Sequence, residues 1–446
     1  MKYVYLFGNG QADGTAEMKN ILGGKGANLA EMNHLGIPVP PGFTITTDVC
    51  THYYENNQTF PDELETELTD ALQATEQIMG TKFGDEQDPL LVSIRSGARQ
   101  SMPGMMETVL NVGLTTKTIP GLIKKTNNAR FVYDAYRRLI MMYADVVMEK
   151  AAGIEVEEGQ GIRNRLESLL KIHKKENLYQ NDTDLNGDDW KLLSGKFKTE
   201  ISSTLGDEFP DDPMAQLRGG IQAVFQSWNG NRAISYRRIE NIPHEWGTAV
   251  NVQTMVFGNM GDDSATGVAF TRNPATGENI FFGEWLANAQ GEDVVAGLRT
   301  PNPLNEDTKT EDTKDLPSLE SSIPEIYSQL AEIRETLENH YSDMQDIEFT
   351  IQEGRLWMLQ TRVGKRNGSA AIKMAVDMAQ EGMIDKQTAL MRVKPDQLDE
   401  LLHPMLDSQA EQKAVLLAKG LPAGPGGATG RVVFTADDAE AWHNNG

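Results

Sequence analysis

Four side chains in the stretch 345–362, QDIEFTIQEGRLWMLQTR, have the types needed to hold a metal against phosphate: Asp346, Glu348, Gln360 and Arg362. Asp346, Glu348 and Thr350 alternate with Ile347, Phe349 and Ile351, the period of a strand with one polar and one apolar face. Gln352–Arg355 reads as the turn of a hairpin, with Gly354 free to take positive φ, and Leu356–Arg362 as the return strand. If the loop has an odd residue count, cross-strand pairing puts Gln360 and Arg362 on the face that carries Asp346 and Glu348. Two carboxylates, an amide and a guanidinium on one rigid face suit Mg2+ bound to polyphosphate, because both partners want hard oxygens or fixed N–H donors. An ordinary amphipathic hairpin with a solvated acidic face carries the same pattern, so the rest of the chain has to decide.

Two upstream segments could supply the matching cations. A short strand at 3–7 precedes Asn20–Asn28, NILGGKGAN, a glycine loop bearing Lys25, followed by a short helix closed by Gly36. Strand, lysine-bearing glycine turn and helix start make a plausible phosphate cradle. It is not a Walker A loop: Lys19 stands where that motif needs glycine, and Lys25 is followed by Gly26. A glycine turn with an exposed lysine is the plainer alternative. In Leu90–Leu114, the apolar Leu91, Val92 and Ile94 read as a buried strand delivering Arg95 at its C-terminal end. The residues after it include Gly97 and Gly104, whose backbone N–H groups can fold down over an anion, with Arg99 at the flank. Met102, Met105 and Met106 in the same loop could simply pack.

Composition narrows the function classes. The 446 residues are 39% hydrophobic and 24% charged, ordinary for a globular protein of roughly three domains. A net charge of −24 argues against nucleic acid as a partner, since no general basic surface exists to neutralise a phosphate backbone. The single cysteine, Cys50, excludes an intramolecular disulfide framework and a cysteine-rich metal site. The N-terminal MKYVYLFGNG lacks the apolar core of a signal peptide, and no apolar run reaches membrane-spanning length. The expectation is a cytoplasmic protein with no membrane partner.

The organisation expected is α+β. Residues 1–114 form an N-terminal lobe, 115–205 a helical insertion, and 206–245 the rest of that lobe. Within the insertion, Asp182–Gly187 matches the first half of an EF-hand loop, but Leu193 stands where the bidentate glutamate belongs, so it reads as a turn and helix cap. The strand-rich run 246–365 is a second, C-terminal lobe, containing another loop able to approach a ligand through Gly291, Glu292, Gly297 and Arg299. A helical linker spans 366–410, and 411–446 begins a further, incomplete unit.

The strings LGGKGANLAEM, SIRSGARQSMPGMMETVLNVGL, WGTAVNVQTMVFGN, TGVAFTRNPATGE, NAQGEDVVAGLRTP, MQDIEFTIQEGRLWMLQTR and LPAGPGGATGRVVFTADDA resemble the N-terminal half of the pyruvate, phosphate dikinase family over essentially the whole chain. Phosphoenolpyruvate synthases and glucan, water dikinases share the layout with less similar strings. The resemblance implies a two-lobed ATP-grasp domain with an inserted helical subdomain, then a linker and the start of a β-rich swivelling phosphohistidine domain. It implies ATP as substrate, with Lys25, Arg95, Glu292, Asp346, Glu348, Gln360 and Arg362 around ATP and Mg2+. Of these, Lys25, Arg95 and Arg362 would serve the phosphoryl transfer, and Glu348, Gln360 and Asp346 the metal. Gln253 and Met255 would lie near the adenine. The implied reaction converts ATP, phosphate and pyruvate to AMP, diphosphate and phosphoenolpyruvate through a pyrophosphorylated histidine. The partners implied are inorganic phosphate, the phosphohistidine domain and a pyruvate-binding barrel, in a homodimer when full length.

One departure limits the expectation. The family's carrier histidine lies in a Thr-Ser-His tripeptide, and none exists here; His34, His52, His173, His244, His340, His403 and His443 all have other contexts. The pyruvate-binding barrel is missing too. The chain is therefore expected to be a fragment or truncated form that binds Mg·ATP without forming phosphoenolpyruvate alone. A stand-alone ATP-binding module and a related dikinase with another acceptor remain the other readings.

Overall fold

In the computed structural model, residues 1–157, 159–295 and 300–403 are described, with residues 407, 413–415, 430–435, 438, 441 and 442 beyond them. β1 (Val4–Gly8) and β2 (Gln11–Ala12) pair at one sheet edge, followed by α1 (Lys19–His34), β3 (Gly42–Ile45), α2 (Thr47–Glu55) and α3 (Leu64–Met79). β4 (Lys82–Phe83) and β5 (Pro89–Leu90) form a short parallel pair before β6 (Val92–Ala98) and β7 (Thr108–Val112). The helices α4 (Ile119–Thr126), α5 (Ala129–Tyr143), α6 (Ile162–Glu176), α7 (Gly187–Leu205), α8 (Pro213–Ser227) and α9 (Asn231–Ile239) follow, with a π-helical turn at Ala144–Lys150. The chain then runs through β8 (Thr248–Thr254), β9 (Ala265–Phe270), β10 (Phe282–Ala287), α10 (Gly291–Val295) and β11 (Asn302–Pro303). It continues through α11 (Leu319–Ser322), α12 (Pro324–Tyr341), β12 (Gln345–Gln352) and β13 (Arg355–Val363), and α13 (Gly368–Gln380), α14 (Lys386–Arg392) and α15 (Pro395–Glu400) follow.

Two antiparallel sheets carry these elements, so the expected α+β class holds. The first has six strands in the order β2-β1-β3-β8-β6-β7; the second has five, β11-β10-β9-β12-β13. This corrects one boundary. β8 was expected in the second lobe, because it heads the strand-rich run from residue 246, yet it sits between β3 and β6 in the first sheet. The chain crosses to the second sheet only after Thr254. Central placement also explains why every residue of β8 is buried.

The helices of 119–205 share one continuous apolar core with the first sheet, including Phe131, Ile140, Trp190 and Phe197. The EF-hand-like stretch is a helix entrance: the Asn186 side chain accepts from the backbone N–H groups of Asp188 and Asp189, while Asp182 pairs with Lys174 at 2.9 Å. A second core joins Ile347, Phe349 and Met358 of the hairpin to Leu29 and Met32 of α1 and Phe7 of β1. α1 is therefore wedged between the sheets, and it fixes one against the other. Asn28 reinforces the wedge by donating from Nδ2 to the Thr361 carbonyl at 2.9 Å.

The glycine loop expected at 20–28 is shorter than its sequence suggests. Helical backbone runs from Lys19 to His34 and is broken at Gly23, with φ 66° and ψ 172°. A Cβ at Gly23 would stand 1.7 Å from the Gly97 carbonyl oxygen, so the break lets α1 press directly on β6. Gly23→Ala combines a left-handed φ with that overlap and is expected to cost about 3 kcal/mol or more. Urea denaturation checks this, and an unchanged midpoint would contradict it.

Beyond the hairpin, Arg366 donates to Asp343 at 2.6 Å, and Arg272 joins Glu338 at 2.8 Å and Glu381 at 2.5 Å, which ties α12 and α13 to the second sheet. The start of a further unit expected at 411–446 lies mostly outside the described residues, as do Gly297, Arg299 and His443. Among the described residues no helix is long and apolar enough to cross a membrane.

Candidate functional site

The hairpin β12–β13 turns at Glu353 and Gly354, whose φ values of 49° and 74° define a two-residue turn with both positions left-handed. A two-residue turn alone would set Glu348 opposite Leu359 and send Gln360 to the other face. The register instead pairs Asp346 with Arg362 and Glu348 with Gln360, because the ladder shifts between Glu348 and Phe349. The odd residue required for a shared face is therefore in a β-bulge at Leu359 and not in the turn. The bulge also frees the Leu359 carbonyl, which accepts from Arg95 Nη1 at 3.4 Å.

Arg95 projects from the middle of β6, not from its C-terminal end as expected, since the strand continues to Ala98. It bridges the sheets. Its Nη2 donates to Glu348 Oε2 at 3.1 Å and to Gln360 Oε1 at 3.3 Å, and its Nη1 to Gln253 Oε1 at 3.3 Å. Gln253 stands opposite Ser93 on β8, next to the crossing into the second sheet, where the Met255 N–H donates to the Leu91 carbonyl at 2.8 Å. Gln253, Glu348 and Gln360 thus converge on one guanidinium with 15% of its side chain exposed.

Arg362 donates from Nε to Asp346 Oδ2 at 2.7 Å. Burial pushes the Asp346 carboxyl up, Arg362 opposes this, and Glu348 adds to the rise. Lys25 stands on the first helical turn after the Gly23 break. Although part of it reaches the surface, its amine is enclosed, and desolvation followed by Arg95 pushes it down to about 7, with Glu348 pulling the other way and Arg362 adding to the fall. When Lys25 is protonated, it and Arg95 and Arg362 outnumber the carboxylates Asp346 and Glu348 of this set, so the cluster then carries a surplus of positive charge. A polyanion would relieve it.

The Lys25 amine sets a pH dependence. Its folded value of about 7 lies below the ordinary 10.5, so its cost to stability is present in full below pH 7 and is relieved as pH rises from there toward 10.5. A bound polyanion favours the ammonium and draws a proton in. Apparent affinity for ATP is expected to fall as pH rises from about 6 to about 9, more steeply than in Lys25→Arg, in which the nucleotide's own titration is unchanged. Calorimetric titrations of both proteins across that range check this; superimposable pH profiles would contradict it.

The remaining expected site residues divide. Gly97 lies in β6 against α1, and a Cβ there would meet Asn251 Nδ2 at 2.5 Å, so its role is close packing under the cleft and not a free loop N–H. Gly104, with φ 71°, sits at the exposed turn of the loop after β6. Met102 of that loop is buried and Met105 and Met106 pack against the first core, so the packing alternative for these methionines holds. Glu292 is not drawn to Arg95; it pairs with Arg138 of α5 at 3.0 Å. Neither Arg138 nor the bulge carbonyl of Leu359 was singled out from the sequence. The parity of a Glu-Gly turn against four like-facing polar residues was the available signal for the bulge.

The donor set fits Mg2+. Glu348 Oε2 and Gln360 Oε1 already converge on one cationic N–H group, two hard oxygens that a small cation could take with water and phosphate completing its shell. Asp346 is engaged by Arg362 and suits a water-mediated or exchanged contact. Among the described residues no group of three or more His, Cys, Asp or Glu side chains is gathered for a metal.

A cluster of this kind, with Arg95 on the first sheet, Lys25 on α1, and Arg362 beside the hard oxygens of the second sheet, suits a phosphate-bearing ligand. Comparison with known proteins agrees: the family model described as pyruvate phosphate dikinase, AMP/ATP-binding domain, matches residues 19–61, 56–323 and 304–383. The chain is 51% identical over 438 residues to the pyruvate, phosphate dikinase of Rhizobium meliloti (strain 1021), covering 98% of this chain and 47% of that protein. It is 49% identical to that of Clostridium symbiosum, covering 100% and 48%, and 49% identical to the chloroplastic pyruvate, phosphate dikinase 1 of Zea mays, covering 100% and 44%. The chain belongs to the pyruvate, phosphate dikinase family through its AMP/ATP-binding domain. It spans about half the length of the curated relatives it matches.

Proposed function

We propose that this chain is the ATP-binding half of a pyruvate, phosphate dikinase, an ATP-grasp unit that holds ATP between its two sheets. The observation that carries this reading is the bridge from Arg95 on the first sheet to Glu348 and Gln360 on the second, flanked by Lys25 and Arg362. Phosphoryl transfer asks a protein for charge neutralisation and alignment more than for acid–base chemistry. Arg95 and Arg362 hold phosphate oxygens through their planar N–H pairs, and Lys25 contributes a point charge at the helix start. Glu348 and Gln360 would hold Mg2+, with Asp346 beside them. When bound, that ion would neutralise phosphate oxygens and fix their geometry. Gln253 and Met255, at the crossing between sheets, border the base, and the loop carrying Gly104 covers the phosphates.

In this reading the β-phosphate is presented to a histidine of a swivelling domain, with inorganic phosphate taking the terminal phosphoryl group and a barrel domain presenting pyruvate. The setting is cytoplasmic and the full-length assembly a homodimer. Displacement of a fluorescent ATP analogue from the chain by Mg·ATP tests the binding step. Saturable displacement is expected; none up to about 1 mM, the affinity of only about 4 kcal/mol, would overturn it.

A further inference from the structure

The bridge from Arg95 is not the only polar contact between the sheets' elements. Arg138 projects from α5, whose core is that of the first sheet, and only 14% of its side chain is exposed. Its three nitrogens meet three carboxylates: Nε meets Asp134 at 3.1 Å, Nη1 meets Glu292 at 3.0 Å and Nη2 meets Asp293 at 3.1 Å. Asp134 is shared with Arg137, at 2.8 Å, and the Arg137 guanidinium lies 4.4 Å over the Trp190 ring. Arg138 is therefore aimed by its own helix before it meets the other two acids.

Those acids belong to the turn that follows β10 of the second sheet. Asp293 closes this turn by accepting from the Gln290 N–H at 2.9 Å. The turn in turn braces the crossing segment after β8: the Ala289 N–H donates to the Gly258 carbonyl at 2.8 Å, and Gln290 Nε2 to Asn259 Oδ1 at 3.3 Å. α5 grips the same segment directly through Phe131, edge-on to Phe257 at 5.0 Å. The crossing segment starts one residue after Thr254, two residues from the Gln253 amide that accepts from Arg95.

We infer that Arg138 is a positioning residue for the cleft, holding the Gln290–Asp293 turn against the crossing segment and so fixing the wall that carries Gln253 and Met255. Its roles at the two acids differ. Asp293, with 21% of its side chain exposed and engaged in the turn, is the anchor; Glu292, at 41%, is the arm that can exchange partners. The helical insertion thereby reaches the cleft through two ion pairs, without touching the phosphates. This inference rests on the cleft being the nucleotide site.

The test uses the full chain and the variants Arg138→Gln, Asp293→Asn, their double mutant and Arg138→Lys. Two readouts are taken: Kd for Mg·ATP, and hydrogen exchange of the amides in 255–264 and 288–293 without nucleotide. Either single change is expected to weaken Mg·ATP binding about tenfold and to speed exchange in both segments, the size of one charge-assisted contact. The double mutant should be no worse than the worse single one, because both cut the same link. Arg138→Lys should recover part of the loss. Losses that add in the double mutant would mean that the two residues act through separate links, and that result overturns the inference. So does unchanged exchange in both single variants. If Arg138→Gln does not fold, Asp293→Asn carries the test from the other side. If the wild type fails to bind Mg·ATP while exchange still rises in the variants, the positioning role stands and the nucleotide reading falls.

Discussion

Arg95→Ala is expected to weaken binding of Mg·ATP by about a hundredfold or more, an effect of about 2–4 kcal/mol. The reason is that Arg95 does two things at once. In the proposed reading it supplies a planar donor pair to phosphate, and in the structure it joins β6 to the hairpin through Glu348, Gln360 and the Leu359 carbonyl. Removing it takes away the phosphate contact and leaves Glu348, one-third exposed, without its cation. Arg95→Lys should rescue little, because a single ammonium cannot reach Gln253 and the hairpin together. Calorimetric titration measures the affinity, and a thermal melt of the same samples establishes that the variant is folded. A folded Arg95→Ala protein with affinity within about threefold of wild type would contradict this account of the cleft.

Glu348→Ala should give an effect of similar size that depends on the metal. With Mg2+ present, ATP binding is expected to weaken by about thirtyfold to a hundredfold, since a hard ligand for the ion is lost. With Mg2+ chelated, the same variant should bind free ATP as well as the wild type or better. Removing Glu348 takes a negative charge from beside the phosphates and releases Arg95 to meet them. Paired titrations with and without a chelator separate the two contributions. An equal loss under both conditions would mean that Glu348 acts only by holding Arg95, and the metal assignment would fail.

What the sequence revealed of this cleft was its local chemistry. The alternation Asp346-Ile347-Glu348-Phe349 determines a two-faced strand, and Gly354 marks the turn, because both properties follow from a few adjacent residues. The bulge at Leu359 was not visible, because it depends on a ladder partner and on Arg95 far upstream in the chain. The glycine-rich stretch around Lys25 looked like an open loop by composition. It is largely helical because Gly23 alone absorbs the break, where it meets the Gly97 carbonyl of another element. β8 was grouped with the strand-rich run from residue 246 for a related reason: its period-two pattern identifies a strand but not its neighbours, and its partners β3 and β6 lie far back in the sequence. Glu292 could be matched by motif, but its partner Arg138 sits on a helix whose facing side was undetermined until α5 packed. Short-range pattern gave residue types and elements; pairing, register and reach came only with tertiary structure.

In the proposed reading the β12–β13 hairpin is the metal-bearing wall of the ATP site. A crystal structure of the chain with Mn2+ and a non-hydrolysable ATP analogue, with the metal located by its anomalous signal, tests it most directly. The expected result is a peak within about 2.3 Å of a Glu348 carboxylate oxygen and of Gln360 Oε1, bridged to phosphate oxygens that also meet Arg95 and Lys25. A nucleotide in the cleft with its metal away from the hairpin, or a nucleotide bound elsewhere, would contradict it.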